Sequence, residues 1–161
     1  EIARFGYAGK NGRPYTSLGK ELIAAGRVAA EDMNLAAIRR WAASHPAEVE
    51  SFLARNESYV FFTPIDGNPR GSLNLEVAAE RTIATDKSLF PRGALCFVET
   101  ALPGSAGGTR TFSQLMLDQD TGGAIRTAGR ADLYLGVGPE AERRSGATRA
   151  TGQLYYFFLR P

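Results

Sequence analysis

The chain holds one cysteine and one histidine among its 161 residues, and each scarcity removes a class of chemistry. Cys96 has no partner for an internal disulfide. Its flanks, Ala94-Leu-Cys-Phe-Val98, read as a buried strand, so a packed core thiol is expected rather than a nucleophile. His45 stands directly before Pro46 in a helical stretch, a helix junction rather than a member of a Ser-His-Asp arrangement. One His and one Cys make no metal-ligand cluster, so no metal is expected. Gly136-Val-Gly138 is too short for a dinucleotide loop, and no Gly-rich loop ends in Lys-Ser/Thr, so no cofactor is expected either. Net charge is only +2, with Lys and Arg scattered, which gives no pull toward nucleic acid. No apolar run approaches the ~20 residues of a membrane span, and no cationic start precedes an apolar stretch. The first residue is not Met, which reads as a mature, processed or excised piece.

What is present is enough for a core, with 43% hydrophobic residues. The first third is expected to be helical. Thr16 or Ser17 caps a helix through Leu18, Leu22 and Ile23 that stops at Gly26. Asn34 caps a second, with Leu35, Ile38 and Trp41 at helical spacing, and Pro46 opens a third. From Ser58 the texture changes to short strands and turns. Strands are expected at Tyr59–Phe62, Leu73–Val77, Arg81–Thr85, Ala94–Thr100, Thr111–Leu117, Asp132–Leu135 and Leu154–Leu159, the last apolar on both faces. Gly104–Gly108 reads as a hairpin-like loop and Pro139–Arg144 as a short helix. Short strands with Gly-rich connections favour a closed barrel over an open sheet. The expected fold is mainly β with α, a helical subregion at 1–57 followed by a barrel at 58–161.

Carboxylate chemistry remains. Asp86, Asp118, Asp120 and Asp132 each stand at a strand end or turn, where each also reads as a residue hydrogen bonded to its own backbone. At most one of Asp118 and Asp120 is expected to face a shared pocket. A carboxyl that donates a proton near neutral pH needs burial or a neighbouring carboxylate, and grouped aspartates on a small barrel supply the second. Protonating a glycosidic oxygen is a natural use of such a group.

Seven stretches then resemble one family, in its order, across nearly the whole chain. They are Tyr7-Ala-Gly-Lys-Asn-Gly-Arg-Pro-Tyr15, Met33-Asn-Leu-Ala-Ala-Ile-Arg39, Asn56-Glu-Ser-Tyr-Val-Phe-Phe62, Arg81-Thr-Ile-Ala-Thr-Asp86, Gln119-Asp-Thr-Gly-Gly-Ala-Ile125, Arg130-Ala-Asp132 and Gly136-Val-Gly-Pro-Glu-Ala141. They resemble the C-terminal half of the membrane-bound lytic murein transglycosylase A family, with its 3D domain named for three aspartates.

The resemblance implies a double-psi β-barrel and places the three aspartates at Asp86, Asp120 and Asp132, with Asp132 catalytic. It implies cleavage of the bond between N-acetylmuramic acid and N-acetylglucosamine in peptidoglycan, with closure of a 1,6-anhydro ring and no cofactor. Asp86 and Asp120 take supporting roles. Gly122 and Gly123 let glycan or backbone pass close, and Lys10, Asn11 and Tyr15 are candidate sugar contacts. The barrel start, an inserted second domain and a lipoprotein signal precede these stretches in the family and are expected to be missing. The expected partners are peptidoglycan strands and the protein's own N-terminal part, in the periplasm at the outer membrane. Two alternatives stay open: a non-catalytic peptidoglycan-binding module, and a hydrolase with two carboxylates.

Overall fold

The computed structural model describes residues 3–105 and 107–160, and the chain divides after Ile65 into two units. In the first, strand β1 (Phe5–Lys10) runs antiparallel to β2 (Val60–Pro64), with three helices between them in sequence. Helix α1 (Leu18–Ala24) follows Ser17, whose hydroxyl accepts from the Lys20 N–H at 3.4 Å. Helix α2 (Leu35–Ser44) starts at Asn34, whose side-chain oxygen accepts from the Ala37 N–H at 2.9 Å. A cap of this kind is worth about 1 kcal/mol, because it satisfies a donor the helix itself leaves open. Helix α3 (Pro46–Leu53) begins at Pro46, a position whose missing N–H would have had no helical partner. Leu22, Trp41 and Phe52 form the core here, Trp41 edge-on to Phe52 at 5.1 Å. Each such burial contributes roughly 1.5–3 kcal/mol. His45 stacks on Trp41 at 5.6 Å and forms the expected helix junction.

Sequence alone draws the boundary at 57/58 and assigns Tyr59–Phe62 to the barrel. That segment instead pairs with β1, as in Tyr7↔Phe62 and Lys10↔Val60. A ladder partner so far back in the chain leaves no local signal. The first unit is therefore helical with a two-stranded sheet, rather than helical alone.

The second unit is a five-stranded sheet in the order β6-β3-β5-β4-β7. Its strands are β3 (Thr82–Ala84), β4 (Leu95–Pro103), β5 (Thr109–Asp120), β6 (Asp132–Leu133) and β7 (Gly152–Tyr156). The hairpin β4–β5 runs from Leu95↔Leu117 to Pro103↔Thr109. The connecting turn is closed by Gly104 N–H donating to the Gly108 carbonyl at 3.0 Å; Ala106 lies outside the described residues. Strand β3 is parallel to β5 and antiparallel to β6. Helix α4 (Pro139–Ala147) follows Gly138, whose φ of 92° favours glycine. The core gathers Ile83, Cys96, Val98, Leu102, Phe112, Met116 and Leu135.

This is a mixed α/β fold, and three expectations are corrected. The sheet is not closed: β6 and β7 are its edges, and among the described residues no strand joins them. Leu73–Val77 does not form a strand. Asn74 adopts φ 57°, and Gly71 N–H donates to the Leu75 carbonyl at 3.0 Å, so the chain doubles back. Alternation registers spacing and is blind to a left-handed residue. Strand β7 ends at Tyr156, leaving Phe158 75% and Leu159 98% exposed where a strand covered on two sides was expected.

Candidate active site

Strand register assembles the site. Ala84 pairs with Asp120 on one side and with Asp132 on the other. Neighbouring strands are about 4.8 Å apart, so the two aspartate backbones stand about 10 Å apart across a single residue. A bulge makes this possible, because the β3–β5 pairing steps from Ile83↔Asp118 directly to Ala84↔Asp120. Asp120 and Asp132 line one cavity of about 320 Å³, together with Gly122, Ile125 and Val77. Asp132 also lines a second cavity of about 430 Å³, on the side of α4.

Asp132 is half-exposed and held by Arg130 in a fork. Nε donates to Oδ1 at 2.9 Å and Nη2 to Oδ2 at 3.1 Å. The hydrogen bonds and charge of Asp132 raise the Arg130 guanidinium above its already high value. Arg130 also donates to the Ala124 carbonyl at 3.2 Å, which ties the Gly122-Gly123 loop to the Arg130–Asp132 pair.

Asp120 accepts from the Ser72 N–H at 2.9 Å, drawing the 70–72 turn over the strand end. The approach there is close: a Cβ on Gly71 would lie 2.8 Å from the Gln119 carbonyl. Asp86 is buried just beyond β3 and lines neither cavity. Its carboxylate accepts from the Ser88 N–H at 3.0 Å and the Ser88 hydroxyl at 2.7 Å. These bonds, the backbone one foremost, hold its carboxyl below the ordinary value. Register thus unites Asp120 and Asp132, while Asp86 serves the turn that follows β3.

Asp118 was open on residue type and set aside by the resemblance. It proves fully buried, facing the Lys87 ammonium, and accepts from the Thr85 and Tyr156 hydroxyls at 2.6 Å each. Burial first, then the bond to Asp118, raises the Tyr156 phenol well above its usual range. The signal was available in the sequence: Phe112, Met116 and Asp118 share the inward face of a strand with period two. The wall of the larger cavity is also anchored by charge. Arg144 on α4 donates to Glu80 at 2.7 Å and to the Pro103 carbonyl at 3.0 Å, and Arg110 adds to the same Glu80.

Gly122 lines the smaller cavity; Gly123 has open space around it and gives its carbonyl to Arg126 at 3.0 Å. Lys10, Asn11 and Tyr15 belong to the first unit. Asn11 is committed to structure, accepting from Tyr59 N–H at 3.0 Å and donating to the Glu57 carbonyl at 2.7 Å. Lys10 ends β1, and Tyr15 is 74% exposed.

The two units match separate family models. Residues 81–158 match the 3D domain family. Residues 1–63 match the MltA specific insert domain, the part counted among the missing pieces from sequence alone. The chain is 38% identical over 161 residues to a membrane-bound lytic murein transglycosylase A of Escherichia coli, covering 98% of this chain and 44% of that protein. It resembles the crystal structure of MltA from Neisseria gonorrhoeae with a TM-score of 0.85 and 32% identity, over 97% of this chain and 40% of that one. For E. coli MltA with bound chitohexaose the values are 0.82 and 35%, over 97% and 48%. The chain therefore spans less than half the length of these relatives.

Proposed function

The chain belongs to the membrane-bound lytic murein transglycosylase A family, and from that membership we propose that it carries the acid–base group of a peptidoglycan lytic transglycosylase, Asp132. The supporting observation is that Asp132 alone of the aspartates opens onto both cavities. Its carboxyl donates a proton to the oxygen linking N-acetylmuramic acid to N-acetylglucosamine, and the bond from C1 to that oxygen breaks. The carboxylate then takes the proton of the muramoyl C6 hydroxyl as O6 bonds to C1. The ring closes as 1,6-anhydromuramic acid, and the proton count on Asp132 is restored.

Asp120 positions the turn that borders the cleft, and Asp86 fixes the exit of β3. Gly122 and Gly123 give the glycan a close path, and Lys10 and Tyr15 are candidate sugar contacts, whereas Asn11 serves its own turn. The open edges β6 and β7 are completed into a double-psi barrel by the remainder of the protein. Its relatives are named membrane-bound, whereas no helix among the described residues here is long and apolar enough to cross a membrane. A lipid anchor at the periplasmic face of the outer membrane fits the name of the relatives.

A second reading has its own support, since Asp120 and Asp132 share a cavity as the two carboxylates of a hydrolase do. Product mass decides. In the complete protein acting on purified sacculi, anhydro-ended products are expected, and Asp132→Asn abolishes them. Products heavier by one water would establish the hydrolase, and full activity in the variant would remove Asp132 from the chemistry.

A further inference from the structure

The larger cavity beside Asp132 has a cation with nothing to hold. Arg149 lines it and makes no hydrogen bond or ion pair with any described residue. The other polar groups of that wall are committed: the Ser145 hydroxyl donates to the Glu142 carbonyl at 3.1 Å, and the Thr148 hydroxyl donates to the Arg144 carbonyl at 2.8 Å. Arg130 lies in the same wall, with its fork spent on Asp132. The cavity therefore presents two guanidinium groups and one carboxylate, an excess of positive charge next to the reacting group.

We infer that this cavity is an anion subsite, taking the free lactyl carboxylate of a muramoyl unit without a stem peptide on Arg149 and drawing Arg130 toward it. The inference rests on the transglycosylase reading for the identity of the sugar. Guanidinium groups match carboxylates in a planar two-bond geometry, and the lactyl ether of a muramoyl unit that bears no stem peptide carries a free carboxylate that N-acetylglucosamine lacks. A second consequence concerns the acid. While the Arg130 fork is closed, both Asp132 oxygens act as acceptors, whereas a protonated carboxyl uses one oxygen as a donor. A substrate carboxylate that recruits Arg130 opens the fork and frees Asp132 for its proton. On a strand stripped of its stem peptides, the sugar to be cleaved thus primes the acid.

The test is an NMR titration of the complete protein with N-acetylmuramic acid and with N-acetylglucosamine, reading backbone amides and arginine Nε–H signals. The acidic sugar is expected to bind roughly tenfold more tightly, as one charge-assisted pair allows, and to shift both Arg149 and Arg130. Arg149→Gln is expected to erase the preference, and Arg149→Lys to retain part of it; Arg149 is exposed, and matching amide spectra confirm the fold. Equal affinity for the two sugars, no measurable binding of the acidic one, or a preference surviving in Arg149→Gln would overturn the subsite. The titration involves no bond cleavage. An Asp132→Asn enzyme that stays active would sink the acid–base reading and leave the carboxylate preference standing, and loss of the preference alone would do the reverse.

Discussion

The phenolic hydroxyl of Tyr156 donates to the Asp118 carboxylate across 2.6 Å, linking the edge strand β7 to β5 past the strand between them. Asp118 is fully buried, so this bond exists where water cannot replace it. Tyr156→Phe keeps the ring, including its stack on Phe90 at 5.0 Å, and removes only the donor. A loss of about 1–3 kcal/mol is expected in urea unfolding, the cost of leaving a buried acceptor short of a partner. An unchanged midpoint would mean that the Thr85 hydroxyl and Lys87 suffice.

Lys87 and Asp118 are paired with side-chain exposures of 7% and 0%. Lys87→Met leaves a buried carboxylate uncompensated and is expected to cost roughly 3–5 kcal/mol. The double variant Lys87→Met/Asp118→Leu is expected to recover most of that loss, because an apolar pair needs no desolvation of charge. Thermal melts of the four members of the cycle check this. A double variant as weak as the single would show that packing, not charge, carries the effect.

Burial pushes the Cys96 thiol up to about 11, with the Asp118 charge adding to the effect. The folded thiol is expected to resist iodoacetamide at mildly alkaline pH, since the thiolate is the reactive form, and to react on denaturation. The folded value exceeds the ordinary one, so the associated stability is complete below the ordinary thiol range. It is lost as pH rises through the folded value. Cys96→Ala should flatten that alkaline decline.

Asp86 behaves in the opposite sense. Its carboxyl is held low by the Ser88 N–H and hydroxyl, so its contribution is complete above the ordinary carboxylate range and is lost as pH falls through the depressed value. Melting temperature followed from about pH 5 downward is expected to fall less steeply in Asp86→Asn than in the parent. Parallel curves would assign the acid sensitivity to other carboxylates.

Local chemistry was legible in the sequence, and long-range pairing was not. Asn34, Ser17 and Pro46 announce their helices because a cap is decided within four residues. Inward faces along β4 and β5 follow from period two. The partner of Val60–Pro64 depends on a strand at the start of the chain, and the openness of the sheet depends on how many strands meet. Neither leaves a mark in a short window. At the site, residue type isolated four aspartates, and the resemblance ranked them. It took three-dimensional register to set Asp120 and Asp132 around Ala84. Arg149 was missed altogether, because a lone exposed arginine in sequence looks like any other.

Strand β6 is two residues long, and among the described residues its one neighbour is β3. So short a ladder would slide easily were it not for Tyr134, whose N–H donates to the Thr82 carbonyl at 3.0 Å and whose carbonyl accepts from Glu80 N–H at 2.8 Å. These two bonds act as an index pin. A slip of one residue would bring Leu133 to the place of Asp132 and turn the carboxylate to the opposite face. The placement of Asp132 is thus guarded by the backbone of a tyrosine two positions away, where an ordinary side-chain substitution leaves both bonds and a proline would remove the N–H one.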